Sequence, residues 1–186
     1  MGPTHRLAAA AAAALLAVGG LAGCSLPGTG SSSSGDGSGG AEGSVGKASF
    51  DNPTKPVVQG TVDSPIAQGA KVDIAVMGLK VKGKLANLTV RFTPRVPGNP
   101  GRLDAYDLNG KNGLGTSLID PVNLKRYVVV RDSGDKELQT HEIFTPMPNN
   151  QPTLFFFSFA APPENVKAVD VQIGSWPAFR DIPVQR

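Results

Sequence analysis

The sequence predicts an all-β fold, an antiparallel β-sandwich, for residues 55–186. Three observations predict it. Apolar side chains alternate with polar ones at a spacing of two, turn-forming residues recur between these segments, and no segment after residue 55 carries a sustained helical stripe. Short strands with frequent turns in one domain-sized chain are typical of a β-sandwich. Residues 1–54 differ in composition and precede this domain.

Five segments have the pattern of a strand. Apolar and polar residues alternate at 72–76, 88–92 and 169–173, whereas 127–130 and 153–159 are short β-branched or aromatic runs. Residues 154–159 are apolar on both faces, which predicts a central strand because such a run on an edge would favour aggregation. Turn signals separate the segments: Gly83, 97–101, Asn109-Gly110, Asn112-Gly113, Ser133-Gly134, 149–152 and Pro162-Pro163.

Residues 1–23 have the three parts of an export signal. Arg6 lies in a short first part, residues 7–20 form an uncharged Ala/Leu run, and Leu21-Ala22-Gly23 precedes Cys24. The run is too short and Ala-rich for a good membrane-spanning helix, which needs about 20 strongly apolar residues, and it fits a signal peptide. The sequence around Cys24 resembles the lipobox of bacterial lipoproteins.

That resemblance implies cleavage before Cys24 and lipidation of the new terminal residue. Two acyl chains such as palmitate anchor a protein stably where one chain is marginal. We therefore expect a lipid-anchored protein at the extracytoplasmic face of the cell membrane, with the bilayer as its partner through acylated Cys24. Residues 24–54 follow as a tether. They are mostly Gly and Ser, which predicts a flexible linker, and we place the domain boundary at residue 55.

Charge and cysteine content exclude several classes of function. Lys and Arg total 18 against 15 Asp and Glu, a net charge of +3. Lys80, Lys82 and Lys84 would share one strand face, which is typical of a solvated surface, and no larger basic stretch predicts nucleic-acid binding. Cys24 is the single cysteine, so the domain has no internal disulfide, no cysteine-based zinc site and no cysteine nucleophile.

No catalytic constellation is evident, and we predict that the domain is not an enzyme. His141 is the only histidine after the leader; it has no nucleophile motif nearby, and we expect it in an exposed strand or loop. Asp104, Asp107 and Asp120 bracket an Asn/Gly-rich segment, but Lys111 falls among the ligand positions of an EF-hand loop. We predict no metal and no cofactor, and a calcium site of another type stays open.

The segment around Trp176 is the candidate binding loop. Gly174 and Pro177 predict a loop between the last two strands. Trp176, Pro177 and Phe179 are the candidate contact residues because aromatic side chains often dominate binding surfaces. The alternative is that Trp176 folds back and closes the end of the core.

Three segments resemble the telokin-like, immunoglobulin-like domains of envelope lipoproteins from high-GC Gram-positive bacteria, a largely uncharacterised family. Residues 74–92 are similar to the opening hairpin of these domains. Residues 118–127 (LIDPVNLKRY) are similar to a strand-turn-strand unit, and residues 157–171, with Pro162-Pro163, are similar to the segment before a final hairpin. Residues 93–101 depart from the family pattern.

The resemblance covers roughly residues 70–185 and implies an immunoglobulin-like β-sandwich. It implies no catalytic residues. We therefore expect a binding or scaffolding module at the cell envelope, acting on an unknown envelope protein or polymer. There are two alternatives: an enzyme inhibitor, and a carrier of a lipid or small ligand with a cavity between the sheets.

Overall fold

The computed structural model describes residues 55–186; the predicted leader, Cys24 and the linker lie outside these residues. Within them the chain forms strands and one helical turn, α1 (Ala105–Leu108). The strands are β1 (Val58–Asp63), β2 (Lys71–Lys82), β3 (Leu85–Arg95), β4 (Ser117–Asp120), β5 (Lys125–Val128), β6 (Thr153–Ala160), β7 (Ala168–Gln172) and β8 (Phe179–Gln185). The predicted all-β class is confirmed.

The strands form one curled sheet. Their order is β5-β4-β7-β8-β2-β3-β6, and β1 pairs with β2. The sheet is mixed because β2 and β8 are parallel, with Leu79 beside Val184, so the prediction of a purely antiparallel fold is wrong at this pairing. Val129, which follows β5, bridges to Phe159 of β6. The two ends of the strand order therefore approach one another.

Strand β2 is the junction of the sheet. One edge pairs with β3 along its length, through a two-residue turn at Gly83-Lys84. The opposite edge is divided, since residues 71–76 pair with β1 and residues 79–80 pair with β8. A β-bulge between Val76 and Gly78 separates the two partners, and a bulge of this kind bends and twists the strand that carries it.

A continuous apolar core lies inside the curl. Alternate residues of β3 and β6 supply much of it: Ala86, Leu88, Val90, Phe92, Phe155, Phe157 and Phe159 are all buried. The rings of Phe92 and Phe155 meet edge to face, with centroids 5.1 Å apart. Each such ring contributes on the order of 1.5–3 kcal/mol when it leaves water, so these strands are a main source of stability.

The strands predicted from residue pattern correspond to β2, β3, β5, β6 and β7. Strands β4 and β8 lie in the hairpins implied by the family resemblance, and β1 was not predicted. The prediction that β6 is a central strand is wrong for the strand order, in which β6 is last and has β3 as its only strand partner within residues 55–186. Its second edge is covered instead by backbone hydrogen bonds with Val130, Leu138 and Thr140, and Phe156 on its outer face is 40% exposed. Between residues 55 and 186 the only helix is the four-residue α1, in agreement with the lack of a helical stripe in the sequence.

Candidate functional site

The outer face of β1, β2 and β3 carries a polar groove. The register places Thr61 opposite Asp73 and Asp73 opposite Thr93, and the next row aligns Gln59 with Ala75 and Arg91. Because side chains two apart share a face of a strand, these polar groups form one surface. We define the polar groove by its lining residues, Gln59, Gly60, Thr61, Asp73, Ile74, Ala75, Arg91, Thr93, Arg95, Asn150 and Pro152, which enclose about 580 Å³.

Asp73 organises one half of the polar groove. Its carboxylate accepts a hydrogen bond of 2.7 Å from Thr61 Oγ1 and one of 2.9 Å from Arg95 Nε. Burial alone would raise the pKa of Asp73, but the bonds from Thr61 and Arg95 outweigh it and hold the pKa below its ordinary value. Arg95 also donates to Asn150 Oδ1 at 3.3 Å. The charge of Arg95 is therefore balanced, and its position is fixed.

Arg91 occupies the other half of the polar groove without such a partner. It is half-buried and lies between Ala75 of β2 and Leu154 of β6 in the sheet register. Among residues 55–186 its guanidinium has no hydrogen bond or ion pair. A planar guanidinium offers paired N–H donors that match a carboxylate or a phosphate. Arg91 is thus the group in the groove that is free to bind an anion.

The candidate binding loop has a different structure from the one expected. Trp176 is only 5% exposed. Its indole N–H donates to the carbonyl oxygen of Asp63 at 3.0 Å, and its ring centroid lies 6.4 Å from that of Phe92. Trp176 therefore closes one end of the core, as the alternative predicted, and has little surface for a partner. Phe179 is buried and begins β8, whereas Pro177 is exposed.

A second groove of about 590 Å³ lies beside this loop, and its lining includes Asp63, Lys71, Trp176 and Pro177. Two of its charges are already paired, since Lys71 Nζ is 2.6 Å from Asp63 Oδ1. Exposed pairs of this kind contribute about 0–1 kcal/mol and are screened by salt. This second groove therefore offers no free charge of the kind found at Arg91. Because Trp176 and Phe179 are both buried, the predicted binding loop also lacks the two aromatic contact residues on which it was based.

The loop that precedes Trp176 is held by a buried amide. Asn109 Oδ1 accepts hydrogen bonds from the backbone N–H and the hydroxyl of Ser175, at 3.1 and 2.9 Å. Its Nδ2 donates to the carbonyl oxygens of Asn112 and Gly113. Gly174 adopts φ +53°, and a Cβ there would lie 2.6 Å from Asn109 Oδ1. Loop 109–113 and loop 174–176 are therefore fixed to one another.

His141 is exposed, as predicted. Its Nδ1 accepts hydrogen bonds from the backbone N–H groups of Ile143 and Phe144 at 3.2 and 3.3 Å. Its ring lies against that of Phe144, with centroids 4.3 Å apart. One ring nitrogen is thus used to shape its own loop, and no serine or carboxylate side chain bonds to it in the described part of the chain.

Two of the three aspartates of the calcium alternative, Asp104 and Asp120, bind separate local partners. Asp104 caps α1 through a 2.8 Å bond from the N–H of Asp107 to its Oδ1. Asp120 instead closes the β4–β5 turn, where Oδ1 accepts from the N–H groups of Val122 and Asn123 and Oδ2 from Asn123 Nδ2. No group of three or more metal-ligating side chains occurs within residues 55–186.

Asp120 is fully buried and its bonds decide its ionisation. Burial alone would raise its pKa, but the bonds from Asn123 and the Val122 N–H group lower it. Burial, and then the nearby Asp120 charge, raise the pKa of Tyr127. The Tyr127 hydroxyl has no hydrogen-bond partner among residues 55–186, so we attribute the effect of Asp120 on the pKa of Tyr127 to its charge.

No protein family, no curated protein and no solved structure matches this chain. None of the helical structure between residues 55 and 186 has the length and hydropathy needed to cross a membrane. The assignment of function therefore depends on the sequence motifs and on the geometry of the surface.

The sequence did not identify the polar groove. Arg91 is a polar position within the alternating segment 88–92, but Gln59 and Thr61 belong to β1, which the sequence pattern does not predict. Because the groove is formed by three strands side by side, its polar residues are distant in sequence. A tract of alternating polar residues in both neighbouring strands is the signal that would have suggested it.

Proposed function

We propose that this protein is an extracytoplasmic lipoprotein, anchored in the cell membrane through acylated Cys24, whose domain binds a partner at the cell envelope without catalysis. The leader, the four residues ending at Cys24 and the Gly/Ser-rich linker support the anchor. The all-β architecture and the β4–β5 hairpin at the segment resembling telokin-like domains support an immunoglobulin-like classification.

The observation that carries the binding function is the guanidinium of Arg91 in the polar groove, which has no hydrogen bond or ion pair with any of residues 55–186. A half-buried cation without a counter-ion is poorly compensated for its lost hydration, and an anionic ligand would supply the missing partner. Hydroxyl and amide groups of Thr93, Gln59 and Asn150 line the same groove and offer further hydrogen bonds. We therefore propose a ligand with a carboxylate or phosphate group, belonging to an envelope protein or polymer.

The alternatives receive less support. A lipid or small-ligand carrier needs an internal cavity, but the inside of the curl is occupied by the buried rings of Phe92, Phe155, Phe157 and Phe159. The grooves at Arg91 and Trp176 are both open to the surface. An enzyme inhibitor would act through a surface in the same way as any binding module, so the test of the polar groove applies to it as well.

Replacement of Cys24 with serine is expected to abolish anchoring. Serine keeps the small size of the residue but offers no thiol for the diacylglyceryl group. The variant should show no acyl labelling and altered processing, and it should leave the membrane fraction of the cell. A variant that is cleaved normally, carries as much acyl label as the wild type and stays with the membrane would refute the anchor.

Replacement of Arg91 with alanine is expected to weaken anion binding at least tenfold. This corresponds to the loss of a charge-assisted hydrogen bond, about 1.5–3 kcal/mol. Amide NMR shifts of the mature chain, with Cys24→Ser, should change around Arg91, Ala75 and Thr93 as acetate or inorganic phosphate is added. Arg91→Lys should recover only part of the effect because lysine lacks the paired donors.

Arg180→Ala is the matched control. Arg180 is exposed on β8, so this change removes one positive charge away from the polar groove. It should leave the titration unchanged. If Arg180→Ala weakens the shifts as much as Arg91→Ala does, the binding is unspecific and the groove is not the site.

A further inference from the structure

Four segments meet at one end of the curled sheet, which we call the hairpin end. Because β2 and β3 are antiparallel, their turn at Gly83-Lys84 lies there. The carbonyl oxygen of Lys84 accepts from the N–H of Ala161, which starts the β6–β7 connection. The parallel pairing of β2 with β8 brings Gln185 to the same end. Pairing of β4 with β7 places the β4–β5 turn beside them.

The hairpin end is rich in cations. Its exposed basic side chains are Lys82, Lys84, Lys125, Arg126, Lys167 and Arg186. Arg186 is fixed by bonds to the carbonyl oxygens of Pro162, Pro163 and Val166, and Lys167 donates to that of Glu164. Those acceptors are backbone groups, so the positive charges stay uncompensated. The acidic side chains nearby are Glu164, the half-exposed Asp170, the exposed Asp181 beside it and the buried Asp120 of the β4–β5 turn, so the cations outnumber them.

An apolar tip projects from the same end. We use this name for Val122 and Leu124, which lie in the β4–β5 turn and are 62% and 89% exposed. Leu124 is the more unusual of the two because it adopts φ +54°. A leucine rarely occupies this left-handed region, which favours Gly, Asn and Asp and strains other side chains. Stability of the free domain gives no reason for a leucine here.

The apolar tip is held rigidly. The Asp120 carboxylate accepts hydrogen bonds from the N–H groups of Val122 and Asn123 and from the side-chain amide of Asn123. In the backbone register of the hairpin, Asp120 lies opposite Lys125. The turn is therefore fixed before it meets any partner. A preformed turn loses little conformational entropy when its side chains become buried against a binding partner.

The chain also enters the domain from this side. Val57 donates to the carbonyl oxygen of Val76, and β1 runs antiparallel to β2 from there. Residues 55–57 therefore approach from the direction in which β2 proceeds to Lys82. The linker proposed to carry acylated Cys24 would join the domain on the side of the hairpin end.

We propose that the hairpin end docks on an anionic lipid bilayer. In the docked state Val122 and Leu124 enter the interfacial layer, and the surrounding lysines and arginines face the lipid phosphates. Each cation near an anionic surface raises partitioning roughly fivefold. The charge complementarity and the position of chain entry select a membrane over a protein partner. The proposal rests on the anchor described above, because the tether supplies the local concentration that weak docking needs.

The test tethers the domain without its natural lipid, so that the result does not depend on acylation of Cys24. The mature chain carries an N-terminal hexahistidine in place of Cys24 and is bound to vesicles that contain a nickel-chelating lipid. Since Cys24 is the only cysteine, L124C introduces a single thiol for an environment-sensitive dye. N99C, at an exposed site beyond the opposite end of β3, is the matched control.

On vesicles with roughly a third phosphatidylglycerol, we expect a dye at residue 124 to be quenched by lipid-borne quenchers at least threefold more than a dye at residue 99. The difference should fall when K82E and K125E are combined, and at high salt because screening shortens the range of the charges. Equal quenching at the two sites, or quenching unaffected by both changes, overturns the proposal. Either result leaves the anchor at Cys24 to be judged by its own acyl-labelling test.

Discussion

Replacement of Trp176 with alanine is expected to lower the free energy of unfolding by about 3–5 kcal/mol, the usual cost of removing a large buried ring. The indole packs near Phe92 and closes the core at the end of the sheet opposite the hairpin end. The change also removes the hydrogen bond from Nε1 to the Asp63 carbonyl oxygen. Chemical denaturation followed by circular dichroism measures the loss.

Two variants separate the parts of this effect. Trp176→Phe keeps an aromatic ring but loses the N–H donor, and we expect an intermediate cost that includes about 1 kcal/mol for the hydrogen bond. Pro177→Ala changes the exposed neighbour and should alter stability by less than about 1 kcal/mol. An alanine variant at Trp176 that unfolds like the wild type would contradict the structural role of the indole and restore it as a binding residue.

The sequence predicted the strands whose apolar residues alternate regularly. In β3, alternation of Leu88, Val90 and Phe92 with polar residues matches burial of one face. In β6 the same inference failed, because Phe156 is as apolar as its buried neighbours. Hydrophobicity alone does not say which face is covered, since that depends on the partners of the strand in the folded sheet.

Strand β1 escaped prediction for a different reason. β1 contains Gly60 and several polar residues, so its alternating apolar pattern is weak. Its extended conformation depends instead on backbone pairing with residues 71–76 of β2. The polar groove depends on that pairing. The position of Trp176 was also undecided from sequence, since a Gly/Pro-rich loop can project outward or fold back. Its contacts with Phe92 and Asp63, distant in sequence, determine the outcome.

Replacement of Asp120 with alanine is expected to destabilise the domain by about 2–3 kcal/mol at neutral pH. The change leaves the part-buried N–H groups of Val122 and Asn123 without their acceptor, and hydrogen bonds to a charged group contribute about 1.5–3 kcal/mol. Asp120→Asn should cost less, because an amide oxygen can still accept from the two backbone groups. Both variants are measured by denaturation over a range of pH.

The pH dependence of stability separates the contribution of the Asp120 charge from that of its side-chain shape, which Asp120→Asn retains. The folded-state pKa of Asp120 is lowered, so its contribution is fully present above the unfolded-state value of about 3.9. As the pH falls from there, the unfolded chain takes up the proton first, and the contribution is lost through the lower folded-state pKa. The stability difference between wild type and Asp120→Asn should therefore be constant near neutrality and shrink below about pH 4. A difference that grows in acid would mean that burial, which disfavours the carboxylate, outweighs the three hydrogen bonds that hold the β4–β5 turn.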